Sequence, residues 1–405
     1  MDTTKISGPI NIIRLEGEID GIKKVIYLFM DLQKTLEKQT KCDGKSLMVN
    51  EYFQKSLTDL NKQKRKSDFF MAIDPSLKTV NISNIEDRYL NMLTKLFKKW
   101  SSTKNIKNVR FHYLDVRDRV NYLSRYVSDI YYFWKKDSYK DFDVKKVYHT
   151  INCLQLLNNE LTFIVDLLKQ YTSTSTSPPN KKLKKPKLFE KLPDYGKLLK
   201  NSKKVMIEIR EKSEYVIKKM FTKYNHSNVQ KKLTKLMTDN IIPFGDYLIF
   251  TLDNAYKTAI NEIETKFNNA VTNEEKRNAL NEIYNKTYWL IDAVTFYMAF
   301  VFDIYFLRRF LDKDYITNVI AYTLTMHAFN LIFILVDIFD FKITHASYAV
   351  TKDMDELNKL VKQNPDYYSA GMFLPDKSYG FKLFLSNGYD TIQCSDISTF
   401  PPNFT

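Results

Sequence analysis

Glycine and proline are scarce in this chain, 9 and 11 among 405 residues. So few backbone breakers exclude a collagen-like repeat and a broadly disordered class. Cysteine is scarcer still. Cys42, Cys153 and Cys394 are odd in number and far apart, and none takes part in a CxxC or Cys/His spacing. That pattern implies neither a zinc site nor a disulfide framework, and a reducing compartment is the natural inference. No P-loop, GxGxxG, HExxH, GxSxG or kinase signature is present, which removes the common nucleotide-binding and hydrolase motifs. The N-terminus, MDTTKISGPI, has no basic stretch followed by an apolar core, so no secretory signal is expected.

What is abundant is core material and basic charge. Hydrophobic residues make up 44% and aromatics 14%, enough for one large domain or two ordinary ones. The net charge of +15 is concentrated: residues 181–237 hold 18 Lys/Arg against 5 Asp/Glu. Within TSTSTSPPNKKLKKPK (172–187) there is no periodicity and no face to bury. It reads as an exposed basic loop. Lys181, Lys182, Lys184, Lys185 and Lys187 form a patch that is either simply solvated or meets nucleic acid or an anionic membrane through 181–237.

The stretch VIYLFMDLQ (25–33) is an apolar run ending in Asp31 and Gln33. It predicts a strand buried on both faces, with polar groups at its carboxyl end, where open α/β sheets place ligands. TNVIAYTLTMH (317–327) repeats the layout. The two strands are expected side by side, aiming Gln33 and His327 into one crevice. Residues 9–17 and 22–30 predict a hairpin about a GEIDG turn (17–21). DFFMAI (68–73) and NVRFHYLD (108–115) predict further strands, and KITHASYAV (342–350) another.

Helices are expected over 45–63, over 85–100 with Asn84 as cap, and over 117–134, 144–171 and 354–363. From 191 to 269 the pattern is an amphipathic helical hairpin, with Leu198, Val205, Ile209, Val216, Met220 and Tyr224 as its stripe. It packs on the sheet domain or serves as an arm for a partner. Residues 287–307 and 316–338 are long and apolar enough to span a bilayer. Asp292, Asp303, His327 and Asp337 within them favour a buried helix, then a strand (317–324), then a helix (326–339).

The sum is an α/β fold with a mainly parallel central sheet flanked by helices and a long helical insertion. Its expected parts are 1–170, the first half of the α/β domain; 171–188, the basic loop; 189–285, the helical insertion; and 286–405, the second half. The closing SDISTFPPNFT reads as a tail that docks.

Side chains for chemistry are few. His327 follows a strand directly, as a base or a metal ligand. Asp115 and Arg117 fall near the carboxyl end of the strand that carries His112. Asp31, Asp68 and Asp303 add carboxylates. A hydrolytic metal site needs at least three convergent ligands and an open position. Here His327 has only carboxylates for company, and Gln33 where a stronger ligand would be wanted.

The segments LEGEIDGIKKVIYLFMDLQ, DFFMAI, NVRFHYLDVRD and DIYFLRRFLDKDYITNVIAYTLTMHAFN carry a resemblance to uncharacterised proteins of giant, nucleocytoplasmic large DNA viruses, mimivirus-like ones especially. It covers about residues 8–400 and is weakest over 170–285. The plan also resembles, more distantly, the erythromycin-esterase, ChaN and TraB/TIKI group. That group has a GxxH motif after an early strand and a second one late in the chain. Its TIKI-type members are metal-dependent hydrolases, and ChaN binds haem. On that likeness Met30 and Gln33 stand for the first motif's glycine and histidine. Leu324 replaces the second glycine while His327 remains. Ala72 stands at an acidic position, and Arg117 matches an arginine. Gln is a weak ligand for first-row metals, so the resemblance implies a degenerate, non-catalytic member.

Three readings follow. The first is an interaction or structural protein of a giant virus on a decayed hydrolase-like scaffold, without a cofactor, with a protein partner or self-association. The second is a working hydrolase with a divalent metal, using His327, Asp31, Arg117 and Asp115, with His112 as a further candidate and Gln33 as a vestigial ligand. The third is a basic module, with Lys181–Lys235 meeting nucleic acid or anionic lipid; separately from it, 287–338 is an alternative membrane contact. The viral resemblance implies the host cytoplasm, with the virion as the alternative.

Overall fold

The computed structural model describes residues 5–32, 34, 36–62, 66–72, 88–103, 106–114, 127, 130, 144–172, 210–211, 213–364, 379–385 and 392–404. The elements in chain order begin with β1 (Lys5–Ser7), β2 (Asn11–Ile19), β3 (Ile22–Asp31), β4 (Leu47–Met48), α1 (Val49–Lys62), β5 (Ser67–Met71), α2 (Arg88–Thr103) and β6 (Val109–Tyr113). Then come α3 (Val144–Thr172), α4 (Ser227–Leu236), α5 (Ile242–Glu262), α6 (Asn273–Asp312), β7 (Asn318–Leu324) and α7 (Thr325–Phe333). The last are β8 (Lys342–Ala346), α8 (Met354–Gln363), α9 (Tyr379–Phe384) and β9 (Cys394–Asp396).

Two compact units result. One holds 1–118, 225–229 and 302–405; the other holds 119–224 and 230–301. The helical unit therefore takes in 119–170 as well as the expected insertion.

The first unit contains a six-stranded sheet in the order β6-β5-β7-β3-β2-β8. β6, β5, β7 and β3 run parallel, and β2 and β8 add antiparallel pairings. This is the expected α/β class. β3 and β7 are direct neighbours, registered from Val25 with Asn318 to Asp31 with Leu324.

The β2–β3 hairpin turns more tightly than its sequence suggests. Its loop is Asp20-Gly21 alone, both at positive φ (46° and 84°), as a two-residue turn between twisted strands requires. Gly17 stays inside β2. A Cβ there would lie 2.3 Å from the Phe341 ring, so this glycine serves a close approach and not the turn.

One face of the sheet, with Tyr27, Phe29, Phe69, Met71, Ile320 and Tyr322, packs on α1 and α2 through Phe53, Leu57, Leu93 and Phe97. α1 begins at Val49, later than expected, because Leu47 pairs with Ile6 as strand β4. The tail joins this core: Phe404 is 1% exposed. On the other face, Phe306 at the end of α6 meets Phe70 edge-on. α6 is long and apolar enough to cross a membrane, yet 72% of its most apolar stretch is buried within the protein, as in a core helix.

The cysteine expectation is overturned. Cys42 and Cys394, 352 residues apart, form a disulfide with Cα atoms 5.0 Å apart. The cause is a second, three-stranded sheet, β4-β1-β9. Ser7 of β1 is the register partner of Cys394, and its Oγ accepts the Cys42 amide at 3.1 Å. Sequence spacing carries no trace of a pairing made by strand order.

In the helical unit, Val216 and Met220 of the expected stripe are buried. Arg210 forms an ion pair at 2.7 Å with the buried Glu160. Asn84, Leu198, Val205 and Ile209 lie outside the described residues, as does the expected helix over 117–134 except for Val127 and the buried Ile130, both helical.

Candidate functional site at the carboxyl ends of the central strands

The chain leaves β3 through α1, on one face, toward β5. It leaves β7 through α7, which binds Asp303 of α6 and so lies on the opposite face, toward β8. The two connections thus leave neighbouring strand ends for opposite faces of the sheet and in opposite directions along it. This is a topological switch point, the place where open α/β sheets form a ligand crevice.

Asp31 closes β3 there and is 1% exposed. Its carboxylate accepts the Tyr322 hydroxyl, and its backbone oxygen accepts Thr325 Oγ1 at 2.9 Å. By strand alternation Asp31 shares the face of Tyr27 and Phe29, toward α1. His327, in the first turn of α7, turns instead to Asp303: Nδ1 lies 2.7 Å from Oδ1. Asn330 Nδ2 donates to the other oxygen at 2.9 Å. Burial pushes the Asp303 carboxyl above its usual range, and His327 and Asn330 oppose that shift. Among the described residues, Thr323 Oγ1 and Asn330 Oδ1 are buried at this end without a hydrogen-bond partner.

Two of the expected site residues are therefore near the right strand ends, but each is bound to its own partner. Gln33, Asp115 and Arg117 lie outside the described residues, as do Lys181, Lys182, Lys184, Lys185 and Lys187. Among the described residues no three His, Cys, Asp or Glu side chains gather as a metal site would need. The Asp303 partnership had a signal in the sequence. A lone aspartate in an apolar helix must find a buried partner, although nothing local says which.

His112 is engaged elsewhere. Asp68, 1% exposed in its side chain, accepts Arg110 Nε at 2.7 Å and faces His112 Nε2 at 2.7 Å. Arg309 Nη2 donates to His112 Nδ1 at 3.1 Å. A guanidinium only donates, so Nδ1 is the acceptor and the proton sits on Nε2, toward Asp68. Burial pushes the Asp68 carboxyl up, but the hydrogen bonds from His112 and Arg110 outweigh it and hold it below its usual value.

A third polar group, not foreseen in the sequence, sits beside the hairpin. His226 lies 2.7 Å from both Asp20 and Asp314, one on each ring nitrogen. Next to it, Lys24 is fully buried and donates to the carbonyls of Lys313 and Ile316 at 3.0 and 2.8 Å. Burial lowers its pKa to about 8 against the opposing pull of Asp314, Asp312 and Asp68.

Comparison with known proteins gives this scaffold relatives. A family model described as "Family of unknown function (DUF5847)" matches residues 4–405. The chain is 31% identical to uncharacterized protein R706 of Acanthamoeba polyphaga mimivirus, across 98% of this chain and 96% of that protein. It is 29% identical to uncharacterized protein R160 of the same virus (99% and 97% covered) and 30% identical to R161 (99% and 98% covered). No solved structure matches. None of these matches supports the distant likeness to the erythromycin-esterase, ChaN and TraB group.

Proposed function

The chain belongs to the DUF5847 family of unknown function, shared with mimivirus proteins, and from that premise we propose that it is a non-catalytic structural or interaction protein of a giant virus. One observation carries the reading. At the switch point, where a ligand would bind, the carboxylates among the described residues are consumed by internal partners. Asp31 is buried against Tyr322, and Asp303 is shared between His327 and Asn330. A general base must reach its substrate's proton at hydrogen-bond distance, and a catalytic metal needs an open coordination position. Asp31 and Asp303, each 1% exposed and hydrogen-bonded within the core, offer neither. They pin α7 and the end of α6 onto the sheet, and in this reading that is their purpose. The protein would act in the host cytoplasm or within the virion.

The test is metal content by elemental analysis and metal affinity by calorimetry, on the full chain and on His327→Ala. No stoichiometric metal in either protein is expected, and no turnover of ester or peptide substrates. One equivalent of metal in the parent protein that vanishes in His327→Ala would overturn the reading in favour of a hydrolase.

A further inference from the structure

The last strand is held at both ends by unlike means. β9 spans three residues, Cys394–Asp396, and pairs antiparallel with β1. An edge strand this short has little stability of its own. At its start stands the Cys42–Cys394 disulfide. Beyond its end, Phe404 enters an aromatic cleft. Its ring centroid lies 5.2 Å from Tyr27, 5.8 Å from Tyr52, and 6.1 Å from Phe29 and Phe53. Phe400 packs on Tyr27 and on His345. The strap is thus a covalent anchor, a weak ladder and a buried ring, in that order along the chain.

We propose that residues 394–404 form a thiol-locked strap: the disulfide keeps β9 seated and the cleft of Tyr27, Phe29, Tyr52 and Phe53 occupied, and a dithiol reductant releases it. In the release, a reductant thiolate attacks Sγ of Cys394, the less buried of the two residues. The S–S bond breaks, and Cys42 departs as a thiolate that takes up a proton. The reductant's second thiolate then resolves the mixed disulfide. Cys394 becomes a thiol, and the reductant ends as a disulfide, having supplied both electrons. Reoxidation by a thiol oxidant closes the lock only when β9 is back on β1, because the cysteines meet nowhere else in the fold. Coupling of this kind is reciprocal: if the bond holds the strap, then the seated ring holds the bond.

Hydrogen exchange read by mass spectrometry on the full chain tests this, before and after dithiothreitol. Amides of 394–404 should exchange about tenfold faster or more in the reduced protein, a change of about 1.4 kcal/mol in opening, while those of β3 and β7 stay protected. In a thiol–disulfide buffer, Phe404→Ala should shift the Cys42–Cys394 equilibrium toward thiols by about tenfold, given what burying one aromatic ring contributes. Equal strap protection in both states would overturn the proposal. So would a disulfide that yields only when the whole chain unfolds, or an equilibrium indifferent to Phe404.

Discussion

Nδ1 of His327 lies 2.7 Å from Oδ1 of Asp303, a carboxylate with 1% of its side chain exposed. The pair joins the first turn of α7 to the end of α6 on the face of the sheet opposite α1. Removing the imidazole would leave a buried carboxylate held by the Asn330 amide. Breaking one side of a buried pair costs on the order of 3–5 kcal/mol. His327→Ala should lose that much in urea denaturation, and His327→Ala combined with Asp303→Leu should regain part of it. A loss under about 1 kcal/mol in the single variant would show that the pair does not hold α7 in place.

His226 makes stability depend on pH. Burial disfavours its charged form, but hydrogen bonds to Asp314 and Asp20 outweigh that and raise its pKa above the ordinary value. A histidine raised in the folded state contributes stability that is fully present below its unfolded value, near about 6.5, and is lost as pH rises through the folded value. The difference in denaturation midpoint between the parent protein and His226→Gln should therefore be largest near pH 5.5 and shrink toward pH 9. A difference that grows with pH would contradict this assignment.

Gly17 tests packing. Because a Cβ there would sit 2.3–2.6 Å from three atoms of the Phe341 ring, Gly17→Ala should cost about 1–3 kcal/mol, the usual range for an overpacked core. Gly21 has nothing within 4 Å of its own Cβ position, so Gly21→Ala would be opposed only by its positive φ. Thermal melting of both variants separates the two causes. Equal, small losses would mean that Phe341 moves aside freely.

The sequence by itself determined the elements whose signal is local. The apolar runs of β3 and β7, a strand beginning at Lys342 and the helix Met354–Gln363 are all readable from neighbours a few residues apart. So is the α/β class, since strands and helices alternate along the chain. Two residues suffice for the hairpin turn, yet the glycine four positions earlier that seemed part of it belongs to packing against Phe341, which is remote in sequence.

Partnerships were decided by the tertiary structure. Asp303 could be seen to need a partner, but His327 was chosen by the way α7 folds back over the sheet. Asp31 and His327 occupy neighbouring strand ends, and the divergence of α1 and α7 gives them separate partners. Cys42 and Cys394 looked like unrelated thiols until β1 took β4 on one edge and β9 on the other. The physical reason is common to all three. Backbone propensity and hydrophobic period act over a few residues, whereas a buried charge or a thiol is satisfied by whatever the strand order brings within about 3–5 Å.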